Sequence, residues 1–119
     1  MSKVLVQPTK EQLNLIENAI RERQNIAITG LQGTGKSVLY AAILKTIGEM
    51  DCGYELQALD EVATMADIEV ITNKTTIGKP VLFTYHSSKH LTEAFPDFKG
   101  LHIKMNSDHS KTFEITEIS

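Results

Sequence analysis

The residues with the most readable chemistry lie between positions 30 and 37. Gly30, Gly35, Lys36 and Ser37 complete the pattern G-x-x-x-x-G-K-[ST], which is typical of a loop that wraps round phosphate. Glycines let the backbone curl so that successive N–H groups face an anion. We expect Lys36 to reach the β- and γ-phosphates as a positive charge, and Ser37 to hold Mg²⁺ through its hydroxyl. The pattern therefore predicts that the phosphates of a nucleotide bind here together with Mg²⁺.

The segments on either side of this loop support the same interpretation. Residues 25–29 have the apolar composition of a short buried strand, and residues 37–47 have that of a helix. A phosphate-binding loop of this type is preceded by a strand and followed by a helix. The alternative is a chance glycine-rich turn, which would lack that context. The predicted phosphate-contacting residues are Gly30, Gly33, Thr34, Gly35, Lys36, Ser37 and Val38.

An acidic pair, Asp60 and Glu61, supplies the second set of candidate residues. Hydrolysis needs one carboxylate near the Mg²⁺ and another that orients the attacking water. A predicted strand over residues 54–59 would end at this pair, so we assign Asp60 to Mg²⁺ together with Ser37, and both carboxylates to catalysis. The alternative is that the pair caps a helix that begins near Val62, since a helix N-terminus favours negative charge.

His86 is the third candidate catalytic residue. It follows a predicted buried strand over residues 81–84, and open α/β sheets bind ligands at the carboxyl ends of their strands. A purely structural histidine is an equal alternative. Metal binding by His86 with His90 is disfavoured, because no third ligand is evident.

The chain before the phosphate loop is predicted to be a helix. Thr9 and Gln12 have the spacing of a capping box, and apolar residues that include Leu13 recur at helical spacing as far as about Arg23. One side of this helix should therefore pack on the sheet. Gln12 has a second interpretation, because many helicases place a glutamine upstream of the phosphate loop to read adenine. Most glutamines at this position of a capping box are caps.

The remaining elements complete the fold prediction. A helix is predicted over residues 62–74, and two final strands over residues 101–105 and 113–116. With the strands already described, they predict one domain over residues 1–119. The expected class is three-layer α/β, with a mostly parallel sheet of about five strands and the nucleotide at the strand carboxyl ends.

Composition limits the expected partners and cellular location of the protein. A net charge of -3 provides no basic surface of the kind that a nucleic-acid binder usually needs, although local basic patches are compatible with it. No apolar run approaches membrane-spanning length, so we expect no membrane insertion. The single cysteine, Cys52, cannot form an internal disulfide. A cytoplasmic location is the expectation.

Several segments together resemble a known family. Residues 59–61 (LDE) followed by residues 78–88 (GKPVLFTYHSS) resemble the segment from Walker B to the His box of secretion and type IV pilus ATPases. The helix after the loop, residues 36–44, and the closing strand, residues 112–118, are similar to those of the same family. The resemblance therefore touches most of the chain.

This resemblance implies roles for individual residues. It implies a P-loop NTPase fold of the RecA-like type, in an abbreviated form. Lys36 and Ser37 would serve phosphate and Mg²⁺, Glu61 would be the Walker B carboxylate, and His86 would sense the state of the γ-phosphate.

The chain also departs from that family. The strand with paired carboxylates that precedes Walker B in the family has no room here, and Asp60 replaces the usual glycine. The only arginines, Arg21 and Arg23, lie upstream of the loop, so the arginines that such motors use are missing. Since an arginine finger contributes several orders of magnitude in rate, we expect hydrolysis to be weak or to depend on a partner.

The expected function is Mg²⁺-ATP binding within a macromolecular transfer or DNA-handling system. A protein partner or a second copy of the chain would supply what is missing. Two alternatives stay open: a helicase-like or helicase-loader-like ATPase, and a non-catalytic regulator that binds nucleotide. A small-molecule kinase is the least supported, because the chain leaves little for an acceptor site and a lid.

Overall fold

The chain folds into a five-stranded sheet with helices packed on it. The computed structural model describes residues 9–30, 35–50, 57–62, 65–76, 80–85, 91, 95, 98–106 and 112–118. In chain order the elements are α1 Lys10–Arg21, β1 Asn25–Thr29, α2 Lys36–Met50, β2 Gln57–Val62, α3 Met65–Thr76, β3 Val81–Tyr85, β4 Gly100–Met105 and β5 Phe113–Ile118. None of the described helices is both long and apolar enough to cross a membrane.

The strand order determines where the strand ends meet. The order is β2-β3-β1-β4-β5, in which neighbours from β2 to β4 are parallel and β5 runs antiparallel to β4. This confirms the predicted α/β class with a mostly parallel sheet of about five strands. The four parallel strands finish on one side of the sheet, which we call the carboxyl end, and start on the opposite side, the amino end.

Two apolar clusters lie on the two faces of the sheet. Alternation along β1 sends Ile26 and Ile28 into a cluster shared with α1 and α2, and Ala27 into a cluster shared with α3. The largest side chains of the second cluster belong to Ile71, Phe83, Tyr85, Leu91, Phe95 and Phe98. Helices therefore pack on both faces, which is compatible with a three-layer α/β fold.

The start of α1 is the predicted capping box. The N–H of Gln12 donates to Thr9 Oγ1 (3.1 Å), and the N–H of Thr9 donates to Gln12 Oε1 (2.9 Å). Gln12 Nε2 also donates to the carbonyl oxygen of Phe113 at 2.5 Å, so both ends of the amide are occupied. The apolar stripe is narrower than predicted, because Leu13 is 46% exposed.

The end of α1 is a Schellman motif. The N–H of Gln24 donates to the carbonyl oxygen of Ala19 (2.9 Å), and the N–H of Arg23 donates to that of Ile20 (3.2 Å). Arg23 has a φ of 57°, the left-handed conformation that this motif requires. The helix therefore ends at Arg21, two residues before the predicted boundary at Arg23.

The boundary between β2 and α3 differs from the prediction. The predicted strand stops at Leu59 and the predicted helix begins near Val62, whereas β2 continues to Val62 and α3 begins at Met65. Val62 is only 1% exposed and lies in the same cluster as Phe83, so burial against β3 keeps it in the sheet. Asp60 and Glu61 are consequently strand residues, and they do not cap a helix that begins at Val62.

Candidate functional site

The carboxyl end of the sheet brings the start of α2 against β2 and β3. β1 ends at Thr29 and is followed by Gly30 with a φ of 150°, and α2 is preceded by Gly35 with a φ of 97°. Residues other than glycine rarely adopt either backbone conformation. The connection between β1 and α2 therefore has glycine at the two described positions that require it. Gly33 and Thr34, which the sequence assigns to phosphate binding, lie outside the described residues.

The first turn of α2 presents the other residues of the predicted phosphate site. Lys36 is 8% exposed, whereas Ser37 and Val38 are exposed. This turn contains no acidic side chain that would compensate the positive end of the helix dipole. Helix N-termini of this kind attract anions, because their first N–H groups have no partner within the helix.

Asp60 joins α2 to β2 and β3. Ser37 Oγ donates a hydrogen bond to Asp60 Oδ1 at 3.2 Å, and Thr84 Oγ1 donates to the same oxygen at 2.6 Å. Ser37 and Asp60, the two residues that the sequence assigns to Mg²⁺, are therefore in direct contact. The contact joins residues 23 positions apart in the chain.

The acidic pair forms a β-bulge. The register pairs Leu59 with Phe83 and Val62 with Tyr85. Asp60 and Glu61 therefore face a single residue of β3, Thr84, and Glu61 has a φ of 60°. The N–H of Glu61 donates to Thr84 Oγ1 at 2.5 Å. Bulges redirect side chains, and they occur often beside functional sites.

Both carboxylates influence the start of α2. Burial lowers the pKa of Lys36 from its ordinary value, while the attraction of Glu61 and then of Asp60 opposes that shift. Burial and then the negative charge of Asp60 raise the pKa of Tyr40, one turn further along α2. In a regular strand two successive side chains would point to opposite faces of the sheet. The bulge explains how two successive carboxylates influence one lysine.

Two groups of predicted residues are not part of this cluster. His86 lies outside the described residues, so its predicted role stays a prediction. Arg21 and Arg23 directly precede β1 and are thus at the amino end of the sheet. The five residues of β1 separate that end from Gly30, and five residues span about 16 Å in a strand.

Thr84 is the site residue that the sequence interpretation missed. It is completely buried at the carboxyl end of β3, where it contacts both members of the acidic pair. One signal was present in the sequence. In the strand VLFTY, Thr84 lies one residue before the end, and ligands of open α/β sheets bind beyond the carboxyl ends of the strands.

The metal-binding capacity of the site depends on oxygen atoms. In the part of the chain that the structure describes, no group of three His, Cys, Asp or Glu residues could hold a metal ion. Mg²⁺ does not need such a group, because it takes one or two protein oxygens and completes its shell with phosphate and water. The adjoining hydroxyl of Ser37 and carboxylate of Asp60 fit that requirement.

Comparison with known proteins gives no relative from which a role could be transferred. No protein-family model matches this chain, and a search of curated proteins also finds no match.

Proposed function

We propose that this protein binds Mg²⁺-ATP at the carboxyl end of its sheet and hydrolyses it slowly, or at a useful rate only with a partner. The observation that carries the proposal is the hydrogen bond from Ser37 Oγ to Asp60 Oδ1, beside the buried Lys36. It supports the proposal because phosphoryl-transfer sites of this type need a hydroxyl, a carboxylate and a lysine at one place.

Binding would rest on the loop and on the first turn of α2. Backbone N–H groups after Gly30 and at the start of α2 would surround the β-phosphate, and Lys36 would pair with the β- and γ-phosphates. The partly dehydrated Lys36 gains more from a phosphate partner than an exposed lysine would, because charges interact more strongly where water is displaced.

Ser37 and Asp60 would hold the Mg²⁺, which neutralises charge on the phosphate oxygens when bound. Glu61 would orient a water molecule at its carboxylate and accept the proton. The attraction of the negative pair opposes the loss of the proton from Lys36, which suits a residue that must face phosphate. The resemblance to secretion ATPases adds His86 as a sensor of the γ-phosphate, and that role belongs to the proposal.

The arginine positions favour dependence on a partner. Both arginines precede β1 at the amino end, away from the proposed phosphate site. A second copy of the chain or another protein would therefore have to supply the positive charge that stabilises the transition state. Together with the resemblance to secretion ATPases, this leads us to propose a role as one component of a cytoplasmic macromolecular transfer or DNA-handling system.

The same observation favours one second candidate, a regulator that binds ATP without hydrolysing it. The helicase-like alternative was based on the position of Gln12 ahead of Gly30. The amide of Gln12 is occupied by Thr9 and by the Phe113 carbonyl, so the structure gives no support for adenine reading by this residue.

Calorimetric titration with Mg²⁺-ATP and with Mg²⁺-GTP tests the proposed binding. We expect saturable binding by the parent, and a loss of roughly 10- to 100-fold in affinity for Lys36→Ala, because a charged hydrogen bond is removed. Lys45→Ala is the matched control, since Lys45 is an exposed lysine of the same helix. Equal affinities for the parent and Lys36→Ala would overturn the phosphate-site assignment.

Phosphate release separates the enzyme from the regulator. Glu61→Gln should keep the affinity for Mg²⁺-ATP and reduce turnover roughly 100-fold, because the carboxylate that accepts the proton is lost. Glu114→Gln, an exposed position on β5 at the other side of the sheet, should leave both unchanged. Tight binding without turnover, at high protein concentration and with candidate partners, would favour the regulator.

A further inference from the structure

We propose that Thr84 is the positioning residue that holds the carboxylates of Asp60 and Glu61 in their working arrangement. The inference rests on the proposed function, because it assigns a role within the same site. In the register of the sheet, Thr84 alone faces both residues of the bulge.

The bulge leaves a backbone donor that needs a partner outside the regular ladder. An extra residue in one strand takes its backbone N–H out of the regular ladder, and a backbone donor without a partner is unfavourable. Here the N–H of Glu61 donates to the hydroxyl of Thr84. The bond also favours the left-handed conformation of Glu61, whose φ of 60° is unusual for a residue other than glycine.

The hydroxyl of Thr84 acts on both carboxylates at once. It accepts from the backbone of Glu61 and donates its single proton to Asp60 Oδ1, so its orientation is determined. Thr84 is fully buried, and its branched side chain has few rotamers available. One fixed hydroxyl therefore sets where the backbone of Glu61 lies and where the carboxylate of Asp60 points.

This arrangement would matter most when the nucleotide is bound. Asp60 Oδ1 accepts hydrogen bonds from Ser37 and from Thr84. If the hydroxyl of Ser37 turns to Mg²⁺, the bond from Thr84 is the one of these two that still orients Asp60. Groups that orient metal-binding side chains typically change metal affinity or activity by about 10- to 100-fold when they are removed.

The first test needs no nucleotide, so it stays decisive if the proposed function fails. Amide hydrogen exchange is measured by NMR for Glu61 and, as an internal reference, for Ala27 in the central strand β1. Thr84→Val replaces the hydroxyl with a methyl group of similar size. It should increase the amide exchange rate of Glu61, relative to that of Ala27, at least about tenfold. Thr84→Ser should behave like the parent.

A control variant and a fallback variant keep this test decisive. Thr116→Val removes a hydroxyl from an exposed strand position of β5, and should change neither rate. If Thr84→Val does not fold, Thr84→Ala against Thr84→Ser gives the same comparison. Parent-like exchange at Glu61 without the hydroxyl would overturn the proposal.

The second test measures turnover against Mg²⁺ and ATP. Thr84→Val should lower kcat and raise the half-saturating Mg²⁺ concentration by about 10- to 100-fold, while ATP affinity stays within about threefold. Thr84→Ser should restore both. Reduced stability with a parent-like kcat and Mg²⁺ dependence would reduce Thr84 to a packing residue and overturn the proposal.

The two tests also separate the two hypotheses. A parent that fails to bind nucleotide, together with the expected exchange pattern, would overturn the proposed function and retain Thr84 as the residue that orders the bulge. Nucleotide binding with an unchanged exchange pattern would retain the function and overturn the role of Thr84.

Discussion

At each end of the parallel sheet, one polar side chain forms hydrogen bonds to two neighbouring segments, an arrangement that we call a crossing. The two crossings differ in charge. At the amino end, Asn25 Nδ2 donates to the carbonyl oxygen of Lys99 (2.8 Å), and Asn25 Oδ1 accepts from the N–H of Val81 (3.1 Å). At the carboxyl end, Asp60 accepts from the hydroxyls of Ser37 and Thr84.

This difference distinguishes a link that satisfies backbone groups from a link that gathers charge. A neutral amide that satisfies two backbone groups ties neighbouring strands together without gathering charge. At the carboxyl end, burial of the charged Lys36 costs hydration, and the attraction of the two neighbouring carboxylates offsets part of that cost. The carboxyl end is the end at which we propose that Mg²⁺-ATP binds.

The largest effect should come from added volume at the amino end. A Cβ at Gly100 would overlap the carbonyl oxygen of Asn25, and Gly100 has a φ of 146°. Gly100→Ala should lower the free energy of unfolding by roughly 3 kcal/mol or more, because backbone atoms must shift. Urea denaturation measures this, with Gly48→Ala as control, since a Cβ at Gly48 meets nothing within 4 Å. Parent-like stability of Gly100→Ala would contradict the close approach of β1 and β4.

A smaller loss should follow when the neutral crossing is removed. Asn25→Ala deletes two hydrogen bonds and leaves the N–H of Val81 without this acceptor, so we expect a loss of about 2 to 3 kcal/mol in the free energy of unfolding. The affinity of the folded protein for Mg²⁺-ATP should not change. Asn14→Ala, at an exposed position of α1, is the control. A strong change in affinity would mean that the two ends are coupled.

The converse change at the carboxyl end should affect Mg²⁺ more than stability. Asp60→Asn keeps the shape of the side chain but removes its charge, so the Mg²⁺ concentration needed for ATP binding should rise at least about tenfold. Unfolding free energy should stay within about 1 kcal/mol of the parent. An unchanged Mg²⁺ requirement, measured by titration of the metal at fixed ATP, would remove Asp60 from the metal site.

Replacement of each left-handed residue by glycine should distinguish the role of Glu61 from that of Arg23. Glu61 and Arg23 are both left-handed without being glycine, so Glu61→Gly and Arg23→Gly should each raise the free energy of unfolding by about 0.5 to 1 kcal/mol. Only Glu61→Gly should abolish turnover. If Arg23→Gly also reduced turnover, the helix end would have to take part in the chemistry.

The smallest effect concerns pH. Burial lowers the pKa of Lys36 below its ordinary value of 10.5, so the unfolded chain retains the proton to higher pH than the folded chain. The free energy of unfolding therefore rises with pH between the folded-state pKa and the unfolded-state pKa of Lys36. Below the folded-state pKa, burial of the charged lysine destabilises the protein by its full amount. Because the pKa of Tyr40 is raised, its contribution to the free energy of unfolding falls as the pH rises above about 10. As the pH rises towards 10.5, the parent should gain stability relative to Lys36→Met, as measured by denaturation. No difference in slope would mean that Lys36 is hydrated.

Local patterns predicted the elements better than they predicted the site. The capping box of Thr9, the strand Asn25–Thr29 and the helix after the loop follow from residues that are neighbours in sequence. The strands predicted over residues 101–105 and 113–116 are present as β4 and β5. Each of these depends on periodicity or capping, which single segments contain.

The bulge and the amide crossing could not be predicted in this way. Whether Asp60 and Glu61 face one residue or two depends on their pairing with β3, and their partner Thr84 is more than twenty positions away. The partners of Asn25 are further still, at separations of 56 and 74 positions. Such contacts exist only after the strands have been ordered in the sheet.

The acidic bulge also has a consequence for solubility. In the described part of the chain, β2 is an outer strand of the sheet, with β3 as its neighbour. Outer strands offer unpaired backbone groups to other molecules, and bulges and charges are devices that discourage such pairing. Asp60 and Glu61 place both devices at one point of β2. The residues proposed for chemistry would therefore also protect the protein from joining its sheet to that of a neighbour.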